Sequence, residues 1–197
     1  MSYAFKECTS LKTIAIPSSI TSIERETFYK CTSLQSVTLS ESIDSIAISA
    51  FEGCTALREI ALPSSLTSIG TDAFRGCTSL VKIVIPDSVA YLYSAFANCT
   101  GLESVTLSKS MAQIKKGTFE GCSSLTEVII PEGITEIQVN SFKDCVALKE
   151  ITFPATLRSL QSEAFKDCTS LEKVTFLSEN TKIYDDAFKG CTSLKKQ

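Results

Sequence analysis

Apolar and polar positions alternate along this chain in one block that is written again and again. With each phenylalanine of the block as position zero, the pattern reads F-x-x-C-T-x-L-x-x-[IV]-x-[ILF]-P-x-x-[ILV]-x-x-[IL], followed by a short polar stretch ending in Ala, Thr or Ser. The phenylalanines Phe5, Phe28, Phe51, Phe74, Phe96, Phe119, Phe142, Phe165 and Phe188 are each followed three residues later by a cysteine, from Cys8 to Cys191. The period is 23 residues, with one step of 22 between Phe74 and Phe96. A fixed period of this length marks a solenoid, in which each repeat presents an apolar face that only a stacked neighbour can bury. Eight Phe-to-Phe intervals define eight coils and Phe188 opens a partial ninth. Residues 1–197 therefore read as a single repeat domain, uncapped at both ends.

Within a coil, the columns Ile14, Val37, Ile60, Ile83 and Ile16, Leu39, Leu62, Ile85 stand two residues apart and are rich in β-branched side chains. That spacing predicts one short strand per coil with one face buried, the strands of successive coils stacking in parallel. Pro17, Pro63, Pro86, Pro131 and Pro154 directly follow the strand, where a missing N–H ends the ladder. A second apolar pair three apart, such as Ile20 and Ile23 or Ile134 and Ile137, turns the chain inward again. The small residue before each Phe, with Asp, Ser or Glu ahead of it, predicts a short helical or 3-10 turn with a side-chain cap on the side opposite the strand. No segment is long enough for a stable full helix.

The whole unit, A-F-x-x-C-T-S-L-x-x-I-x-I-P-x-S-[ILV]-T-S-I, resembles the BspA-like subfamily of leucine-rich repeats over essentially the entire chain. The resemblance implies a leucine-rich-repeat solenoid with the course of a right-handed β/α superhelix. It also implies a cell-surface or secreted protein of mucosal bacteria or parasitic protists, used for adhesion to host matrix proteins and other cells. Where the general repeat has Asn or Cys after the strand, this chain mostly has Ser, as at Ser19, Ser42, Ser65 and Ser88. Serine hydroxyls and those of Thr9, Thr32, Thr55 and Thr78 are therefore expected to satisfy the turns in place of a stacked asparagine ladder.

A solenoid binds with a surface, and its strand ladder offers an extended one. One outward column reads Thr13, Ser36, Glu59, Lys82, Ser104, Glu127, Glu150, Lys173; its neighbour reads Ala15, Thr38, Ala61, Val84, Thr106, Ile129, Thr152, Thr175. Against this background of small and hydroxylated residues, Glu59, Lys82, Val84, Glu127, Ile129, Glu150 and Lys173 stand out as candidate binding residues. β-Propensity alone accounts for most of the Thr and Val. The 22-residue coil carries Tyr91 and Tyr93 beside its shortened turn, and exposed tyrosines are good contact residues.

Composition narrows the chemistry further. A net charge of −3 without runs of like charge argues against nucleic acid or an anionic membrane as partner. No apolar stretch is long enough to span a bilayer, and Met1-Ser2-Tyr3 leads straight into the first repeat without the layout of a secretion signal. Histidine is absent, which removes the commonest general base and metal ligand; no nucleophile, base and orienting group can be assembled, and no cofactor is called for. Glu24 with Glu26, or Asp185 with Asp186, lies in the polar turn before a Phe, where capping explains it.

Nine cysteines at one repeat position would lie about 4.8 Å apart with parallel side chains, whereas a disulfide needs converging Cβ atoms at roughly 3.8 Å. They are expected to be reduced, buried and to act as small hydrophobes. Asn98-Cys99-Thr100 fits a glycosylation sequon, but its middle residue belongs to this column. The expected function is a protein-binding or adhesion module whose partner is a protein or other macromolecule, such as a host matrix protein. The alternative is a structural or scaffolding segment of a longer, intracellular array. Exposed end coils also predict end-to-end self-association.

Overall fold

The computed structural model describes residues 2–195, which form a parallel β-solenoid. The expected strand is present: Thr13–Ala15 pairs in parallel with Ser36–Thr38, residue for residue at a 23-residue offset. The same column continues through Lys82–Val84, Ser104–Thr106 and Glu127–Ile129, then through Glu150–Phe153 and Lys173–Phe176. Its middle residues, such as Ile83, Val128 and Ile151, are buried, and their flanking residues face out.

Each coil was expected to hold a single strand, and most hold two. Ser22–Ile23, Ser45–Ile46 and Ser68–Ile69 form a second parallel ladder, resumed by Gln113–Ile114, Glu136–Ile137, Ser159–Leu160 and Lys182–Ile183. The inward-turning isoleucine recognised in the sequence sits on this ladder. A strand of two residues has no period of its own, so hydrophobic spacing does not reveal it.

The helical or 3-10 turns expected opposite the strand do not form: no helix occurs among the described residues. The hydrogen bonds explain why. In the coil of Phe28, the N–H groups of Thr27, Tyr29 and Cys31 donate to carbonyls three residues back, at 3.0–3.2 Å, as in a 3-10 helix. Between them, the N–H groups of Glu26, Phe28 and Lys30 donate to the carbonyls of Ile48, Ala50 and Glu52 in the next coil, at 3.1, 2.8 and 2.7 Å. A helix needs a right-handed conformation at every residue, and here Glu26 (φ 52°) and Lys30 (φ 54°) are left-handed. The turn therefore spends half of its donors holding the neighbouring coil. The residue before the cysteine is left-handed in every coil: Glu7, Lys30, Gly53, Gly76, Asn98, Gly121, Asp144, Asp167 and Gly190. Gly, Asn and Asp tolerate this conformation best, and they fill seven of these nine places.

The core is a set of stacked columns. The nine repeat phenylalanines form one pile, with successive ring centroids 4.9–5.8 Å apart and ring planes within 22° of each other. Beside it runs the thiol column, with every cysteine free. Its members do more than fill space: each Sγ from Cys31 to Cys191 donates to the carbonyl of the phenylalanine in the preceding coil, at 2.9–3.3 Å. The expectation that all nine are buried fails at the ends, where Cys8 is exposed and Cys191 half-buried. Each lacks a described coil on one side.

Of the eight hydroxyls singled out in the sequence, those of Ser65, Ser88, Thr55 and Thr78 bond to carbonyls of the turns. Ser65 Oγ donates to the Ile43 carbonyl at 2.6 Å, Ser88 Oγ to Leu66 at 2.5 Å, and Thr156 Oγ1 to Ile134 at 2.9 Å. Thr55 and Thr78 reach the carbonyls of Thr32 and Thr55 in the same manner.

Candidate binding surface

All seven candidate residues lie exposed on the outer face of the first ladder. They collect at two places. Glu59, Lys82 and Val84 line a shallow depression of about 680 Å³ together with Ser36, Thr38 and Ala61. Glu127, Ile129, Glu150 and Lys173 line another of about 470 Å³, together with Thr152 and Leu177. Both coincide with openings in the ladder. Glu59 keeps only an isolated bridge to Ser36 and no strand pairing joins its coil to Lys82–Val84; likewise, none joins Glu127–Ile129 to Glu150–Phe153. At the second opening Glu127 and Glu150 are like charges in neighbouring coils, which disfavours close pairing.

The charged members form no ion pair among the described residues, so their charges are available to a partner. Ile129 is 71% and Val84 51% exposed, each an apolar side chain beside a charged one. The result is a long, shallow, mixed surface and not an enclosed cavity.

Other features singled out in the sequence sit in structural roles. Glu26 pairs with Lys6 at 2.7 Å and with Arg25 at 3.1 Å, Glu24 Oε1 accepts from Ser22 Oγ, and Asp186 pairs with Lys189. Asn98 is exposed and left-handed, and it lies so close to Gly121 that a side chain there would collide with its Oδ1. Burial pushes the thiols of the inner coils upward: Cys54 and Cys99 rise from an ordinary 9.0 to about 12, so neither is a ready nucleophile. No helix among the described residues is long and apolar enough to cross a membrane, and no group of three potential metal ligands occurs there.

The profile of the BspA type leucine rich repeat region (6 copies) matches residues 1–95 and 92–195. The chain belongs to this family. A solved leucine-rich repeat protein from Bacteroides ovatus is 31% identical with a TM-score of 0.84, over 99% of this chain and 57% of that one. One from Eubacterium ventriosum is 26% identical with a TM-score of 0.78, over 95% of this chain and 60% of that one. The leucine rich repeat protein of T. pallidum is 29% identical with a TM-score of 0.66, over 94% and 78%. The chain thus spans less than two thirds of the length of the first two. A search among curated proteins gives no match. The BspA-type repeat accounts for the Phe-Cys-Leu columns and the parallel ladders.

Proposed function

We propose that this BspA-type chain is a protein-interaction module of a surface-exposed or secreted protein, binding an extended macromolecule such as a host matrix protein along the outer face of its first ladder. One observation carries the reading: the residues that break the small, hydroxylated pattern of that face gather in two depressions, where the ladder opens. An extended partner can lie along a shallow strip of parallel strands and engage both places at once. The unpaired charges supply register, and Val84 and Ile129 supply apolar contact.

The test uses immobilised collagen and laminin with a quadruple variant, Lys82→Ala, Val84→Ala, Glu127→Ala and Ile129→Ala. Binding should weaken at least about tenfold and in a salt-sensitive way, with a melting temperature close to that of the parent because the four side chains leave the core untouched. A control carrying Lys166→Ala and Lys189→Ala on the turns should bind like the parent. Loss in the control with retention in the quadruple variant would move recognition to the turns. Binding by neither parent nor control would leave the segment a structural spacer.

A further inference from the structure

The 22-residue coil changes the second ladder and leaves the core intact. Leu92 stays fully buried, yet Tyr91–Leu92 pairs with neither Ser68–Ile69 before it nor Gln113–Ile114 after it, so the ladder is split there. The shortening appears on the outside, where Tyr91 is 57% and Tyr93 48% exposed. The ammonium of Lys115, one coil on, stands 5.7 and 5.6 Å from their ring centroids. On one side of this aromatic wall the matching positions hold only Ser45, Ala47, Ser68 and Gly70, a low shelf. On the other side rises a ridge of linked amides. Lys115 and Gln138 both donate to Gln113 Oε1, and Gln161 Nε2 donates to Glu136 Oε1 at 2.7 Å.

The chemistry of this face is specific. Around the tyrosines the charges are already engaged by amides: Lys115 donates to Gln113, and Glu136 accepts from Gln138 and Gln161, while Lys116 stands beside Lys115 with its N–H on Gln138 Oε1, and Glu24 and Lys182 lie at the two far ends of the ladder. The contacts of Gln138 Nε2 to Gln113 and Glu136 are long, at 3.3 and 3.4 Å, and a ligand hydroxyl can take them over. A primary amide both donates and accepts, which matches neighbouring hydroxyls, and a tyrosine ring offers an apolar face with a polar tip. An added peptide strand would want the main-chain groups that the split ladder frees. The Leu92 carbonyl is already taken by the Thr118 hydroxyl at 3.0 Å.

We propose that this face is a second binding site, separate from the first ladder and independent of the reading above, for a neutral saccharide. A sugar ring stacks on Tyr91 or Tyr93 while its hydroxyls bond to the amides of Gln113 and Gln138. The chain has no tryptophan, so its intrinsic fluorescence comes from five tyrosines and reports on the site directly. The 197-residue protein is titrated with cellohexaose, xylohexaose, maltohexaose and mannohexaose by calorimetry and by tyrosine fluorescence, with a heparin-derived hexasaccharide as the charged probe. Saturable binding of at least one neutral hexasaccharide is expected. Joint Tyr91→Ala and Tyr93→Ala should weaken it at least about tenfold without lowering the melting temperature. Gln138→Leu should weaken it several-fold, and Tyr184→Ala, directly after the last strand of the same ladder, should leave it unchanged. Absence of binding to all four neutral probes, preference for the heparin fragment, or binding that survives the double tyrosine variant would each overturn the proposal.

Discussion

The coils of Phe119 and Phe188 share the frame F-x-G-C-x-S-L and reach opposite fates. Phe119, Cys122 and Leu125 are fully buried, whereas Phe188, Cys191 and Leu194 are only half-buried. Phe119 has a stacked ring on each side, at 5.8 and 5.4 Å, while Phe188 has one, Phe165, at 5.6 Å. A coil of this solenoid therefore owns no core. Its burial is conferred by its neighbours, and stability is a sum over adjacent pairs of coils.

The largest effect that tests this contrast is side-chain truncation. Phe119→Ala removes a ring packed on both faces and is expected to cost about 3–5 kcal/mol in urea unfolding, with Phe188→Ala costing half of that or less. Equal losses would mean that the coils do not depend on their neighbours as described. Backbone strain should behave differently, because it belongs to the residue alone. Lys30→Gly in the coil of Phe28 and Asp144→Gly in the coil of Phe142 relieve left-handed side-chain residues at φ 54° and 60°. Lys30→Gly should gain up to about 1 kcal/mol and Asp144→Gly less, because an aspartate already tolerates this conformation. A larger gain at Asp144 than at Lys30 would show that packing, not local conformation, sets the cost.

The smallest effect is chemical. At neutral pH, Cys8 should react quickly with a thiol reagent and Cys191 more slowly, with Cys31 to Cys168 reacting only after unfolding. Rapid labelling of Cys77 or Cys122 in the folded chain would sink the buried-column account. Linkage adds a pH dependence of definite sign. The folded thiols of Cys54 and Cys99 lie near 12 because burial disfavours the thiolate, and their ordinary value is 9.0. The folded state therefore holds its protons longer than the unfolded state, and stability is fully present below pH 9 and falls as pH rises toward 12. A melting temperature unchanged between pH 8 and pH 11 would contradict it.

Much of this was legible in the chain. The 23-residue spacing of Phe, Cys and Leu implied stacked coils, and the period-2 pair around Ile14 and Ile83 gave the first ladder with its correct inward face. The Gly, Asn or Asp before most of the cysteines also held a signal for left-handed turns, and it points away from the helical turns that the capping residues suggested. Spacing marks the thiols only as buried side chains, because it reports that a residue is buried and not what its donor faces. The sulfur-to-carbonyl bonds need the preceding coil in place before they can be seen.

By itself, then, the sequence determined the repeat, its family and the inward columns, because burial every 23 residues leaves a periodic trace in residue type. Only the tertiary structure decided where the ladders open and that a second ladder exists. It alone set Tyr91 and Tyr93 beside Lys115 and gathered Glu59 with Lys82, and Glu127 with Glu150 and Lys173, into shared depressions. Those features depend on hydrogen bonds and contacts between coils more than 20 residues apart in the chain. A period shows that such neighbours meet but carries no record of which backbone groups pair between them.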